Sequence, residues 1–178
     1  GETKNDEAFG KKLASLADVY VNDGFGQSHR EYASFCAIPK FLPSCAGFLV
    51  EKELRIMGKA IENPDRPFIG ILGGVKISDK IKVIENLLAK VDKLLIGGAM
   101  IFTFFKAQGK NIGDSKVENE QISLAKKLLS NKKIMLPVDV IAADKFDANA
   151  ISKVVDAGNI QNGRMGLDIG PETIKNYK

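Results

Sequence analysis

The chain has 178 residues, 44% hydrophobic and 27% charged, with a formal net charge of +4. This is globular composition, enough for one domain or for one domain and a piece of another. A sequence pI of about 9.0 suits an anionic small ligand as well as a nucleic acid. The basic residues are scattered rather than run together, and only three tyrosines are present, which disfavours dedicated nucleic-acid binding.

The single histidine, His29, cannot build two-histidine chemistry or an ordinary zinc set. Cys36 and Cys45 have neither metal-ligand nor redox spacing, so no metal site is expected among the side chains and a reduced, cytoplasmic setting is. No apolar run approaches the roughly 18 residues of a membrane span, and no membrane association or secretory signal is expected. Both ends read as interior positions of a longer chain: "GETKND" as mid-loop, "IKNYK" as mid-helix.

In chain order, "FGKKLASLADVYVND" places Phe9, Leu13 and Leu16 on one helical stripe, followed by a strand at Val19 to Val21. "NDGFGQSHR" is a turn-rich loop, and "IPKFLPSCAGF", with two prolines, resists a regular element. Leu49, Leu54, Met57 and Ile61 predict a helix over Phe48 to Ile61, ended by the linker "ENPDRP". The texture then changes. "FIGIL" is an apolar strand ending in Gly73 and Gly74, and Ile77, Ile81, Ile84 and Leu88 recur at helical spacing. "KLLI" is the next strand, ending in Gly97 and Gly98, and a helix from Met100 to Ala107 follows. "VENEQISLAKKLLSN" is a helix, "KIMLPVDV" a strand, and "RMGLDIGPETIKNYK" a strand and a helix with Pro171 in its first turn. Strands alternating with helices predict an α/β fold with a doubly wound, mostly parallel, Rossmann-like sheet.

In such a sheet, ligands sit beyond the carboxyl ends of the strands. Both glycine pairs fall there, where a missing Cβ lets a ligand approach the main chain. Lys76 and Lys80, four apart, would share one face of the helix that follows, beside its free N–H groups. Together they suit a polyphosphate. A tight turn with two solvated lysines explains the same spacing equally well. His29-Arg30 is a phosphate- or carboxylate-gripping pair or ordinary surface. "MGLDIGP" either presents Gly166 and Leu167 to an adenosine or is a core strand and a helix start. Neither a Walker A loop nor GxGxxG occurs, which counts against a nicotinamide-dependent oxidoreductase.

The ordered strings "GETKND", "VNDGFGQSHREYAS", "AGFLVEKEL", "LGGVKISDKI", "IGGAM", "LPVDV" and "GRMGLDIGP" resemble those of the phosphoglycerate kinases along the whole chain. The family's typical forms are "PGETKND", "VNDAFGTAHRAHAS", "AGFLMEKEL", "LGGAKVSDKI", "IGGGM", "LPVDV" and "GWMGLDIGP". The resemblance implies a glycolytic, monomeric two-lobed kinase. It would move a phosphoryl group between 1,3-bisphosphoglycerate with ADP and 3-phosphoglycerate with ATP, the nucleotide carrying Mg2+. Residues 1–47 would end the phosphoglycerate-binding domain, 48–63 would form the interdomain helix, and 64–178 the first half of the nucleotide-binding domain. Lys76 would follow the transferred phosphoryl group and Lys80 the nucleotide phosphates. Gly73, Gly74, Gly97 and Gly98 would shape that pocket, with Gly166 and Leu167 by the adenosine. Arg30, with His29, would face phosphoglycerate.

The chain departs from the family at Tyr32, where a second histidine is usual, at Gly24, Gln27 and Ser28, and at Arg164, usually tryptophan. The first four bear on the strength of phosphoglycerate binding. The family strings "DFNVP", "HLGR", "NGPMGVFE" and "GGGD" do not occur in these residues. The alternative reading is a non-catalytic nucleotide-binding fragment or relic of the same fold.

Overall fold

The computed structural model describes residues 1–178, which divide into two compact units, Gly1–Asp65 and Arg66–Lys178.

In the first unit, α1 (Glu7–Ala14) opens at Asp6, whose carboxylate accepts the Phe9 N–H at 2.7 Å, an ordinary N-cap. The helix buries Gly10 and Ala14, and a Cβ on Gly10 would overlap the Ala37 methyl at 2.4 Å. The expected stripe therefore ends early: Leu16 lies beyond the helix and is 80% exposed. The short strand β1 (Tyr20–Asn22) pairs in parallel with β2 (Ser44–Ala46), inside the stretch expected to be irregular. Both prolines of that stretch, Pro39 and Pro43, lie outside the strand, so the missing N–H groups cost no ladder bond.

The helix α2 (Phe48–Glu62) matches its expected span. Its first free N–H groups, Leu49 and Val50, are taken by the Asp23 carboxylate at 2.8 and 3.0 Å. Gly47 leaves room for that contact, since a Cβ there would lie 2.4 Å from Asp23 Cγ. Two family-like strings far apart in sequence, "VNDGFG" and "AGFLVEKEL", thus meet in one helix cap.

In the second unit, β3 (Ile69–Leu72), α3 (Ile81–Lys90), β4 (Lys93–Ile96) and α4 (Ile101–Ala107) follow in succession. Next come β5 (Asn111–Ile112), α5 (Ile122–Leu128) and β6 (Ile134–Met135). The unit closes with β7 (Asp139–Ala143), β8 (Ser152–Asp156), β9 (Asn159–Ile160), β10 (Met165–Ile169) and α6 (Pro171–Tyr177). A parallel sheet runs β3-β4-β6, β5 and β9 form a parallel pair, and β10-β7-β8 is an antiparallel sheet. Four of the six strand pairings in the chain are parallel.

The single strand expected over "KIMLPVDV" is two. Leu136, Pro137 and Val138 separate β6 from β7, and the halves enter different sheets. Proline supplies no donor to a ladder, so the chain leaves the parallel sheet there.

The core of this unit is a cluster around Phe102, Phe104 and Phe105 with Ile84, Leu94, Ile96, Val140 and Ile160, all fully buried. Phe102 and Phe105 meet edge to face, with ring centroids 6.2 Å apart. Removing one such ring costs about 3–5 kcal/mol, so this cluster is the rigid support on which the glycine turns rest. No helix of the chain is long and apolar enough to cross a membrane.

Candidate functional site

Register brings the two glycine pairs together. Leu72 of β3 lies opposite Ile96 of β4, so Gly73-Gly74 and Gly97-Gly98 leave the sheet side by side. Main-chain bonds fasten them: Gly97 N–H donates to the Leu72 carbonyl at 2.9 Å, and Met100 N–H to the Gly74 carbonyl at 3.0 Å. Gly98 has a φ of 66°, the left-handed region that favours glycine.

Next to these turns lies a cavity of about 570 Å3 bordered by Gly74, Val75, Gly98 and Ala99 on one side and by Met165, Leu167 and Phe146 on the other. Asp114 and Lys116 complete its wall. Its lining is largely apolar, which suits a flat, weakly polar group. A smaller cleft of about 240 Å3 adjoins it, sharing Val75 and Lys116 and adding Lys76, Val117 and Glu118. An apolar chamber thus opens onto a cleft with cations.

Lys76 is exposed at that cleft. Lys80 is half-buried, and its stem lies over Gly74, where a Cβ would come within 3.3 Å of Lys80 Cε. The two lysines do not share a helix face. Ser78–Lys80 is a 3-10 turn and α3 begins only at Ile81. Glu118 occupies the main chain just before it. Its Oε2 accepts the N–H groups of Ile77 at 2.5 Å and Ser78 at 3.3 Å, while Oε1 accepts the Ser78 hydroxyl at 2.6 Å. The donors expected to stand free at a helix start are therefore already engaged. Partial burial raises the Glu118 pKa, but the bonds from Ser78 and Ile77, together with the Lys76 charge, outweigh it and hold the carboxyl below its ordinary range.

Leu167 reaches the cavity through a break in register. It has no partner between the Gly166↔Ala142 and Asp168↔Ile141 pairs, and bulges of this kind re-aim a side chain. Gly166, expected beside it, is instead turned into the core. A Cβ there would overlap Phe102 at 2.1 Å, and its N–H donates to the Ser115 hydroxyl at 2.9 Å. Gly73 and Gly97 build the turns without bordering the cavity. Sequence reasoning missed Lys116 and Glu118, Phe146 and Met165, which come from three separate places in the chain and carry no local spacing signal.

The remaining pair belongs to the first unit. His29 and Arg30 are exposed; the Arg30 guanidinium lies 5.7 Å from the centre of the Tyr32 ring, and Nη1 donates to the Tyr32 hydroxyl at 3.2 Å. A further cavity of about 560 Å3 in the second unit contains none of the glycine turns. It sets Lys153 against Asp139, Asp156 and Glu172, an acidic balance unsuited to a polyphosphate.

No three His, Cys, Asp or Glu side chains gather into a metal-ligand set.

The phosphoglycerate kinase family model matches residues 1–178. A phosphoglycerate kinase of Finegoldia magna is 56% identical over 179 residues, covering 98% of this chain and 45% of that protein. The chloroplastic phosphoglycerate kinase 1 of Arabidopsis thaliana is 56% identical over 182 residues, covering 99% of this chain and 38% of its own length. Among solved structures, phosphoglycerate kinase from Coxiella burnetii superposes with a TM-score of 0.82 at 38% identity, over 99% of this chain and 47% of that one. The chain thus spans less than half the length of these relatives. With the family's order of motifs along its whole length and the family's α/β fold, the chain belongs to the phosphoglycerate kinase family.

Proposed function

We propose that the chain serves phosphoryl transfer between 1,3-bisphosphoglycerate with ADP and 3-phosphoglycerate with ATP, the glycolytic reaction, in a monomeric cytoplasmic enzyme. Residues 1–47 close the acid-substrate domain, 48–63 form the connecting helix, and 64–178 open the nucleotide domain. The observation that carries the reading is the shared wall: Val75 and Lys116 border both the apolar chamber and the cleft that holds Lys76. Adenosine fits the chamber between the glycine turns and Leu167, and its phosphates then extend toward the lysines.

Phosphoryl transfer asks the protein for positioning and for cations around a charge-spread transition state, with little covalent chemistry. Lys76 stabilises the moving phosphoryl group, and Lys80, braced over Gly74, holds the nucleotide phosphates. Mg2+ supplies further positive charge when it arrives with the nucleotide. Arg30, presented by Tyr32 with His29 alongside, receives the phosphate or carboxylate of the acid substrate.

Calorimetric titration with MgADP and with adenosine tests the nucleotide half. Both should bind, ADP more tightly, and Lys76→Ala with Lys80→Ala should remove most of the difference. Equal affinity for the two ligands in the parent chain would defeat the assignment.

A further inference from the structure

We propose that Glu118 is a positioning residue of the phosphate site, which locks the main chain at Ile77 and Ser78 and so fixes where Lys76 points. The inference rests on the phosphoryl-transfer reading of the same cleft.

The carboxylate crosses from the segment before α5 to a loop some forty residues earlier and meets three donors there, the N–H groups of Ile77 and Ser78 and the Ser78 hydroxyl. A carboxylate offers about four lone-pair sites, so most of its capacity is spent on this loop. Glu118 is itself held. Its N–H donates to the Thr103 hydroxyl at 3.1 Å, and Thr103 is buried in α4. The helix α4 begins just past the second glycine pair, and the Ile77–Ser78 loop begins just past the first. Glu118 therefore ties the two phosphate-facing turns to one rigid helix.

An acidic side chain beside a polyphosphate cleft needs an explanation, because like charges repel. Here the anion borders the cleft, but its oxygens are taken by the Ile77 and Ser78 donors and opposed by the adjacent Lys76 charge. Its energetic use is geometric. A flexible loop would present Lys76 in many orientations, and a misplacement near 1 Å can cost a reaction about 100-fold.

A purely structural cap predicts the same hydrogen bonds but a different response. The test compares the parent with Glu118→Gln and Glu118→Asp in the intact polypeptide. It reads thermal midpoint, calorimetric affinity for adenosine and for MgADP, and turnover with KM for each substrate. Glu118→Gln should leave adenosine affinity and the KM for 3-phosphoglycerate within twofold. It should lower MgADP affinity about tenfold and kcat about 10- to 100-fold. Glu118→Asp, with the charge but a shorter reach, should recover part of both. Amide exchange at Ile77 and Ser78 should quicken at least tenfold in Glu118→Gln, a readout that needs no activity.

An unchanged ratio of MgADP to adenosine affinity, an equal loss of both, or unchanged exchange at Ile77 and Ser78 overturns the proposal. A parent protein that binds neither ligand overturns the phosphoryl-transfer reading instead, whatever the variants do.

Discussion

Gly98 and Gly74 face each other main chain to main chain: a Cβ on Gly98 would lie 2.7 Å from both the nitrogen and the carbonyl oxygen of Gly74. Gly98 also has a φ of 66°. Two independent penalties therefore await any side chain there. The left-handed backbone costs an L-residue about 1–2 kcal/mol, and the Gly74 main chain must shift as well. Gly98→Ala should destabilise the protein by at least that amount and should weaken ADP binding, because the displaced turn borders the cavity. Gly97→Ala is the control: nothing lies within 4 Å of its Cβ position and its φ is ordinary. It should change stability by no more than about 0.5 kcal/mol. Denaturant unfolding of the two variants checks the contrast.

Lys76 and Lys80 differ in what they touch, and their variants should differ accordingly. Lys76 is exposed at the cleft. Lys76→Ala should lower kcat about 100- to 1,000-fold, the scale of one lost charge-stabilising group, with stability unchanged within about 0.5 kcal/mol. Lys80 is half-buried with its stem on Gly74, so Lys80→Ala should lose both packing and nucleotide affinity. Lys80→Met keeps an apolar stem without the charge and should lose affinity alone. Steady-state kinetics and thermal unfolding of the three variants separate the roles.

How far these features were legible beforehand depends on the range of the interaction that makes them. The stripe through Ile84 and Leu88 and the run "KLLI" announce α3 and β4, because burial of one face is a local pattern. The glycine pairs mark the carboxyl ends of β3 and β4, and hence the candidate site. The hold of Glu118 on the Ile77 and Ser78 donors is not legible, because no window around residue 77 contains Glu118. The break at Pro137 leaves no trace in the hydrophobic pattern, because "IMLPVDV" is apolar on both sides of it. The strands β5 and β9 have two residues each, too short for any period to show. Gly166 and Leu167 are adjacent and face opposite ways, as the pleat of a strand requires, and the shift in register after Gly166 leaves Leu167 without a partner. Tertiary register, not composition, decides each of these.

Thr173 anchors the start of α6 on β7. Its buried hydroxyl accepts from Val138 N–H at 3.0 Å and Asp139 N–H at 3.2 Å, and donates to Asp139 Oδ1 at 2.6 Å. Thr173→Val keeps the shape and strands those groups, so it should cost about 2–3 kcal/mol. Burial raises the Asp139 pKa, but bonds from Thr173 and Glu172 hold it below the ordinary value. Its contribution is therefore present above the ordinary carboxylate range and lost as pH falls through the lower folded value. Thr173→Val should shrink that acid-side loss. Urea unfolding at neutral pH and near pH 3 measures both effects.

Tyr177 works at the opposite end of the pH scale. Its hydroxyl lies 3.0 Å from the Met135 carbonyl of β6 and 3.3 Å from the Ile96 carbonyl of β4, fastening α6 to two strands of the parallel sheet. Burial pushes its pKa up to about 12 from an ordinary 10.0. The neutral phenol is the form the fold favours. Its contribution is thus complete below pH 10 and is lost as pH rises from 10 toward 12. Tyr177→Phe should be less stable near pH 7 by about 1 kcal/mol, one hydrogen bond, and should lose less stability than the parent over that alkaline interval. Parallel stability curves for the two proteins between pH 10 and 12 would rule this out.

Arg30 and Tyr32 make the last contrast. The guanidinium stacks toward the Tyr32 ring and is bonded to its hydroxyl. Tyr32 stands where the family usually has histidine, and here it braces the arginine fork. Arg30→Lys keeps the charge but loses the planar pair of donors that matches a phosphate or carboxylate. A charge-assisted bond of about 1.5–3 kcal/mol corresponds to a rise of about 10- to 100-fold in the KM for 3-phosphoglycerate, with the KM for ATP unchanged. Tyr32→Phe keeps the ring and drops only the hydroxyl, so it should raise the same constant by no more than about fivefold, in line with a neutral hydrogen bond. Kinetics with each substrate varied in turn distinguish the cases. An equal rise in both Michaelis constants for Arg30→Lys would mean that the residue acts on folding or on lobe closure rather than on the acid substrate.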